Sequence, residues 1–154
     1  MASRIEARLA ELGLSLPEAA APVANYVPWV QSGRLLFISG QLPLRDGRVA
    51  VVGRLGAEVD VERGRMAAQL CALAILAQAK AATGDLDRLR RCVELGGFVA
   101  CTPEFADHPK VINGASDLMV DVMGEAGRHA RFAVGAPSLP LGAAVEIRAV
   151  FEIA

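Results

Sequence analysis

Two charges near the C-terminus stand where packing has no use for them. Arg131 opens the strand-like run Arg131-Phe132-Ala133-Val134, and Glu146 interrupts Val145-Glu146-Ile147 fifteen positions later. Arginine presents a planar fork of donors that matches a carboxylate through two bonds. A glutamate between apolar neighbours on an alternating strand faces away from the core. That pair is where chemistry is sought. Each charge taken singly is also what a solvated strand end or an interface position carries.

Other chemistries find little support. His108 and His129 are the two histidines, and neither has a second ligand at helical spacing; Cys101 and His108 are expected on opposite sides of a helix start. No metal and no cofactor is therefore expected. No GxSxG motif is present, and Cys71, Cys92 and Cys101 form no CxxC and no disulfide framework, which suits a reducing cytoplasm. Gly33, Gly40 and Gly47 read as hairpin glycines, not as a phosphate-binding loop. A net charge of -1 offers no footprint for nucleic acid or an anionic membrane. The N-terminus lacks an apolar signal core, and the apolar stretch from Met66 to Ala82 is broken by Gln69, Gln78 and Lys80.

The elements that must position Arg131 and Glu146 follow from periodicity and caps. Ile5, Leu9 and Leu12 mark a short amphipathic helix, followed by a Pro/Ala-rich linker from Leu16 to Pro28 held against the body. Domain bounds of 1–23 for the helix and linker and 24–154 for one body result. A hairpin turns at Gln31-Ser32-Gly33-Arg34, and Asp46-Gly47 makes a second tight reversal. Asp60 caps a helix reaching about Ala82, with Met66, Leu70, Leu73, Ala74 and Ala77 on its apolar face and Gly84 at its end. Leu89–Cys101 reads as a strand, with Gly96-Gly97 marking a bulge or a close backbone approach. Thr102-Pro103 is expected to start a helix that Pro109 divides, ending near Gly124. A closing hairpin carries Arg131 and Glu146 on its two strands. The expected class is α+β: one mixed sheet with two long helices on one face. Its uncovered face and a hydrophobic content of 53% point to a homo-oligomer.

Tyr26, the run Ser39-Gly40-Gln41-Leu42-Pro43-Leu44, Asn113, Ala130-Arg131, Leu139-Pro140 and Val145-Glu146-Ile147 resemble, in type and spacing, the motifs of the Rid (YjgF/L-PSP endoribonuclease) family. The resemblance covers residues 24 to 153. It implies a chorismate-mutase-like fold and a homotrimer with sites in clefts between subunits. It further implies hydrolysis of reactive enamines and imines, such as 2-aminoacrylate, to 2-keto acids and ammonia. Arg131 would grip the substrate carboxylate and Glu146 would activate water, while Tyr26, Ser39 and Asn113 would line the cleft. An iminium carbon is already electrophilic, so this chemistry needs orientation, water and a carboxylate, without a metal or covalent nucleophile.

Departures from the pattern mark a branch distinct from RidA itself. Phe132 and Ala133 follow the arginine where RidA proteins carry a small polar residue and often Cys, and Gly124–Ala130 replaces the usual approach, bringing Arg128 and His129 near the cleft. His129 is a candidate second polar contact for the ligand. The implied partner is a small 2-imino or 2-keto acid. The alternative is a non-catalytic trimer that binds a carboxylate metabolite or a protein through the same cleft. Ribonuclease activity, from the family's older label, sits poorly with the neutral charge.

Overall fold

The computed structural model describes residues 1–22 and 25–154. The domain bound drawn at 23/24 falls on Val23 and Ala24, outside the described residues.

Side chains at the helix ends set the framework. Asp60 accepts a hydrogen bond from the Arg63 amide at 2.8 Å and starts α2, Val61–Thr83, which Gly84 ends at φ 76°. By length and composition α2 could cross a membrane, contrary to the reading of Met66–Ala82, but its apolarity is spent inside the fold. Ala67, Ala68, Cys71, Ala72, Ile75, Leu76 and Ala79 are fully buried, so burial extends well beyond a single stripe. The second long helix, α3, spans His108–Met123. Pro109 lies in its first turn, where no amide donor is needed, so it opens the helix instead of dividing it. Thr102–Asp107 is an irregular connection, not the helix start expected at Thr102.

Among the described residues seven strands complete the body: β1 (Trp29–Ser32), β2 (Leu35–Gln41), β3 (Leu44–Arg45), β4 (Arg48–Val49), β5 (Leu89–Ala100), β6 (Ala130–Ala136) and β7 (Val145–Ile153). Asp46 and Gly47, at φ 53° and 76°, make the tight β3–β4 reversal. The main sheet runs β1-β2-β7-β5-β6, with β6 parallel to β5 and the other pairs antiparallel. Both long helices cover one face. The expected class, α+β with a mixed sheet and two long helices on one face, is what the chain forms.

The closing hairpin does not form. β6 and β7 each pair with β5, on opposite sides of it. The chain leaves β6 at Ala136, which accepts from the Cys101 amide at 3.1 Å, and returns at Ala144, which accepts from the Ala100 amide at 2.8 Å. The Pro/Gly-rich segment between them therefore crosses the end of β5. Leu141 and Gly142, at φ 58° and 72°, make that crossing.

Gly96-Gly97 is a site of close approach, as one of the two expectations had it. A Cβ on Gly97 would lie 2.6 Å from Ile112 Cδ1 of α3, and one on Gly96 would lie 2.5 Å from Phe132 Cζ on the other face. The register shifts of β5 fall earlier, at Leu89/Arg91 and Cys92/Glu94.

The N-terminal helix α1, Arg4–Glu11, is closed by reciprocal bonds between Ser3 and Glu6. It sends Ile5 and Leu9 into the same core as the body. The linker is pinned by Gln78, whose side-chain amide donates to the Ala20 carbonyl at 2.8 Å.

Candidate functional site

β6 is an edge strand, and alternation along it separates two sets of side chains. Phe132 shares the open face with Gly96, and packs edge-on to Phe98 at 5.4 Å between ring centroids. Arg131, one position earlier, turns under the sheet towards α3. There its Nη1 donates to Asn113 Oδ1 at 2.8 Å and to Ser116 Oγ at 3.1 Å. Asn113 and Ser116 are one helical turn apart, which aims both at the same strand. Among the described residues no carboxylate lies within ion-pair distance of Arg131. Among the described residues its guanidinium is anchored by neutral acceptors on one nitrogen, and Nε and Nη2 have no partner. Beside it lies an open hollow of about 280 Å³ lined by Ser116, Asp117, Val120, Arg128, His129 and Arg131.

His129 touches this group through Ser116. Its Nε2 lies 2.8 Å from Ser116 Oγ and its Nδ1 2.6 Å from the Gly127 carbonyl. Both ring nitrogens are thus engaged by groups of the protein itself. Arg128 is turned to Glu125 at 3.1 Å.

Glu146 belongs to a second group. It pairs across β5 with Phe98, and its carboxylate rests against Gly40 of β2. A side chain at Gly40 would collide with Glu146 Oε2, which gives the Ser39-Gly40-Gln41 motif a physical reason for its glycine. Glu146 has no hydrogen-bond donor or cation beside it among the described residues, and burial pushes its carboxyl above the ordinary carboxylate range. Ser39 donates to the Val27 carbonyl at 2.8 Å, and the Gln41 side-chain amide donates to the Ser39 carbonyl at 2.9 Å, holding the motif at the end of β2, where its register against β7 shifts between Ile38 and Gln41. Tyr26, about half exposed, lines a groove of about 850 Å³ with Gly40, Gln41, Leu141 and the linker residues Pro17 and Glu18.

The candidate residues therefore fall into two clusters. Arg131, Asn113 and His129 lie on the helix side of the sheet, and Glu146, Ser39, Gly40 and Tyr26 lie at its other face or edge. Arg131 stands opposite Leu95 and Glu146 opposite Phe98, with β5 between them, a Cα separation of roughly 14 Å from ordinary strand spacings.

Two contacts were not visible in the sequence. Ser116 reads there as an ordinary helix-surface serine; its position three residues after Asn113 is the signal that could have found it. Cys101 and His108, expected apart, approach to 3.4 Å between Sγ and Nε2, because the connection Thr102–Asp107 folds back on itself.

A five-stranded mixed sheet backed by two helices, with an arginine on its edge strand and a half-buried glutamate on its far face, defines a small α+β class of the chorismate-mutase-like kind. Residues 6–153 match the family model described as "YjgF/chorismate_mutase-like, putative endoribonuclease". The chain is 51% identical over 151 residues to Protein TCP17 of Trypanosoma cruzi, covering 97% of this chain and 94% of that protein. It is similar to the crystal structure of Atu1372 from Agrobacterium tumefaciens, of unknown function, at 56% identity and TM-score 0.93, covering 98% of this chain and 93% of that one. It is more distantly similar to RidA from an Antarctic Psychrobacter, at 26% identity and TM-score 0.62, covering 88% and 94%. The chain belongs to the YjgF/chorismate mutase-like family, in a branch distinct from RidA itself.

Proposed function

We propose that the protein is a hydrolytic deaminase that converts reactive enamines and imines of the 2-aminoacrylate type to 2-keto acids and ammonia. The observation that carries this reading is Arg131, a guanidinium that among the described residues is held through Nη1 alone, with no partner on its Nε–Nη2 fork. That fork matches the carboxylate common to such substrates. Protonation of the enamine at C3 gives the imine. Water then adds to the electrophilic C2 while a carboxylate takes one of its protons. Returning that proton to nitrogen makes ammonia the leaving group, and as the C2–N bond breaks the carbinolamine hydroxyl gives up its own proton through the carboxylate to solvent, replacing the one taken up at C3 and leaving the keto acid. Glu146, raised above the usual range by burial, is suited to both transfers. No cofactor enters any step.

Because Arg131 and Glu146 lie on opposite faces of one sheet, the reading requires a second copy, as in a homotrimer with each cleft shared between neighbours. Val30, Leu35, Phe37 and Val134 remain exposed, and covering such apolar surface favours association. The separation of the two residues also favours a second reading, a trimer that binds a carboxylate metabolite without turning it over. Release of keto acid from imines generated in situ tests the first. Turnover at the wild-type rate in Arg131→Ala refutes it; saturable carboxylate binding that Arg131→Ala abolishes, with no keto acid released by wild type, establishes the binder instead.

A further inference from the structure

A carbonyl oxygen only accepts hydrogen bonds, so the 2.6 Å contact between His129 Nδ1 and the Gly127 carbonyl places the ring proton on Nδ1. Nε2 of the neutral ring is then an acceptor, and its partner at 2.8 Å, Ser116 Oγ, must donate. The serine hydroxyl has one proton. With that proton given to His129, the oxygen presents lone pairs to Arg131 Nη1, 3.1 Å away. The second hydrogen of Nη1 goes to Asn113 Oδ1 at 2.8 Å. The far end of this chain is fixed as well: Gly127 is buried, and a Cβ there would lie 2.6 Å from the Met119 carbonyl carbon.

We infer that Ser116 and His129 are positioning residues for Arg131, forming a directional relay that runs from the Gly127 carbonyl through the imidazole and the hydroxyl to Nη1. Its effect is to use up both hydrogens of Nη1 and stop rotation of the guanidinium, leaving the Nε–Nη2 fork pre-set for a carboxylate. A carboxylate then pays little of the ordering cost on binding. The inference deepens the deaminase reading and rests on it for its consequence, although the relay itself is a matter of side-chain geometry.

The test uses the full chain and four variants. Ser116→Ala and His129→Asn break the relay; Ser116→Thr keeps the hydroxyl, and His129→Gln keeps an acceptor near the Nε2 position. With imines generated in situ, Ser116→Ala and His129→Asn raise KM about tenfold with kcat nearly constant, as expected for one lost bond to a charged group whose role is uniform binding. Ser116→Thr and His129→Gln restore KM. Independently of turnover, nitrogen-15 NMR of the guanidinium shows restricted rotation in the wild type that is lost in Ser116→Ala and kept in Ser116→Thr. Wild-type KM and rotation in Ser116→Ala, or no rescue by either conservative variant, overturns the relay. A wild-type protein that turns over no imine, yet shows restricted rotation lost in Ser116→Ala, overturns the deaminase reading and leaves the relay standing.

Discussion

Arg131 and Glu146 point to opposite faces of the same sheet, with β5 between their strands. A long arginine cannot close that gap around a strand, so no single chain offers both groups to one small substrate.

Complementation between inactive variants follows from this relationship. Arg131→Ala and Glu146→Gln are each expected to lose turnover, but in mixed oligomers of the proposed trimer some clefts would receive an intact arginine from one copy and an intact glutamate from the next. Random mixing restores about a quarter of the wild-type rate if every cleft takes one residue from each neighbour. The measurement is keto-acid release after the two variants are co-refolded. Absence of any recovery in verified mixed oligomers shows that the two residues do not share a cleft.

The raised Glu146 carboxyl sets the sign of two pH effects. As a base it works when ionised, so the acid limb of kcat/KM lies above the ordinary carboxylate value of 4.5 and is missing in Glu146→Gln. For stability the direction reverses: the fold favours the protonated form, a contribution present below pH 4.5 and lost as pH rises through the raised value. Glu146→Gln, which imitates the protonated group, therefore unfolds at a higher urea concentration than wild type at pH 7 while losing turnover. A lower midpoint would show that Glu146 is paired in the folded protein.

Gly40→Ala separates the placement of Glu146 from its presence. The new methyl group would sit 3.1 Å from Cδ and 3.3 Å from Cγ of Glu146, closer than the carboxylate end can tolerate. The obstructing atoms are the far end of a flexible side chain, so the carboxylate moves and the backbone stays. The expected result is a rate loss on the order of 100-fold, as for a catalytic group displaced by about 1 Å, with little change in thermal midpoint. Equal losses of rate and stability would place the strain in the backbone instead.

Local chemistry was legible in the sequence wherever one residue decides one element. Asp60 and Gly84 bound α2, and Asp46-Gly47 makes its reversal, because caps and tight turns depend on a few adjacent atoms. The pairing of β6 and β7 was not legible: both strands find partners on β5, thirty or more residues away, and nothing in Pro137–Gly142 reports that the chain crosses a strand end. Arg131 and Glu146 stood out as charges in apolar runs, but alternation alone could not say that they lie on different faces until their strands had partners. Ser116 escaped notice for a related reason. Its function depends on a histidine thirteen residues later and an arginine two beyond that, brought together by the turn at Gly124–Gly127.

The N-terminal helix offers a test of how the added segment is held. Glu6 closes the cap with Ser3 and forms an ion pair with Lys80 of α2. The Lys80 contact first, and then the Ser3 amide, bring its carboxyl down from 4.5 to about 2. A depressed folded value contributes stability that is present above pH 4.5 and lost as pH falls towards about 2. Lys80 is about half exposed, so solvent and salt screen the pair and its contribution stays below what the displacement alone implies. Lys80→Gln removes the leading cause and leaves the Ser3 bonds. Urea midpoints at pH 6 and pH 3 are expected to lie closer together in Lys80→Gln than in wild type, and this contrast between the two proteins shrinks in about 0.5 M salt, where the Debye length is roughly 4 Å. An identical acid-induced drop in both proteins would show that the helix is held by Ile5 and Leu9 in the core, with the ion pair contributing nothing measurable.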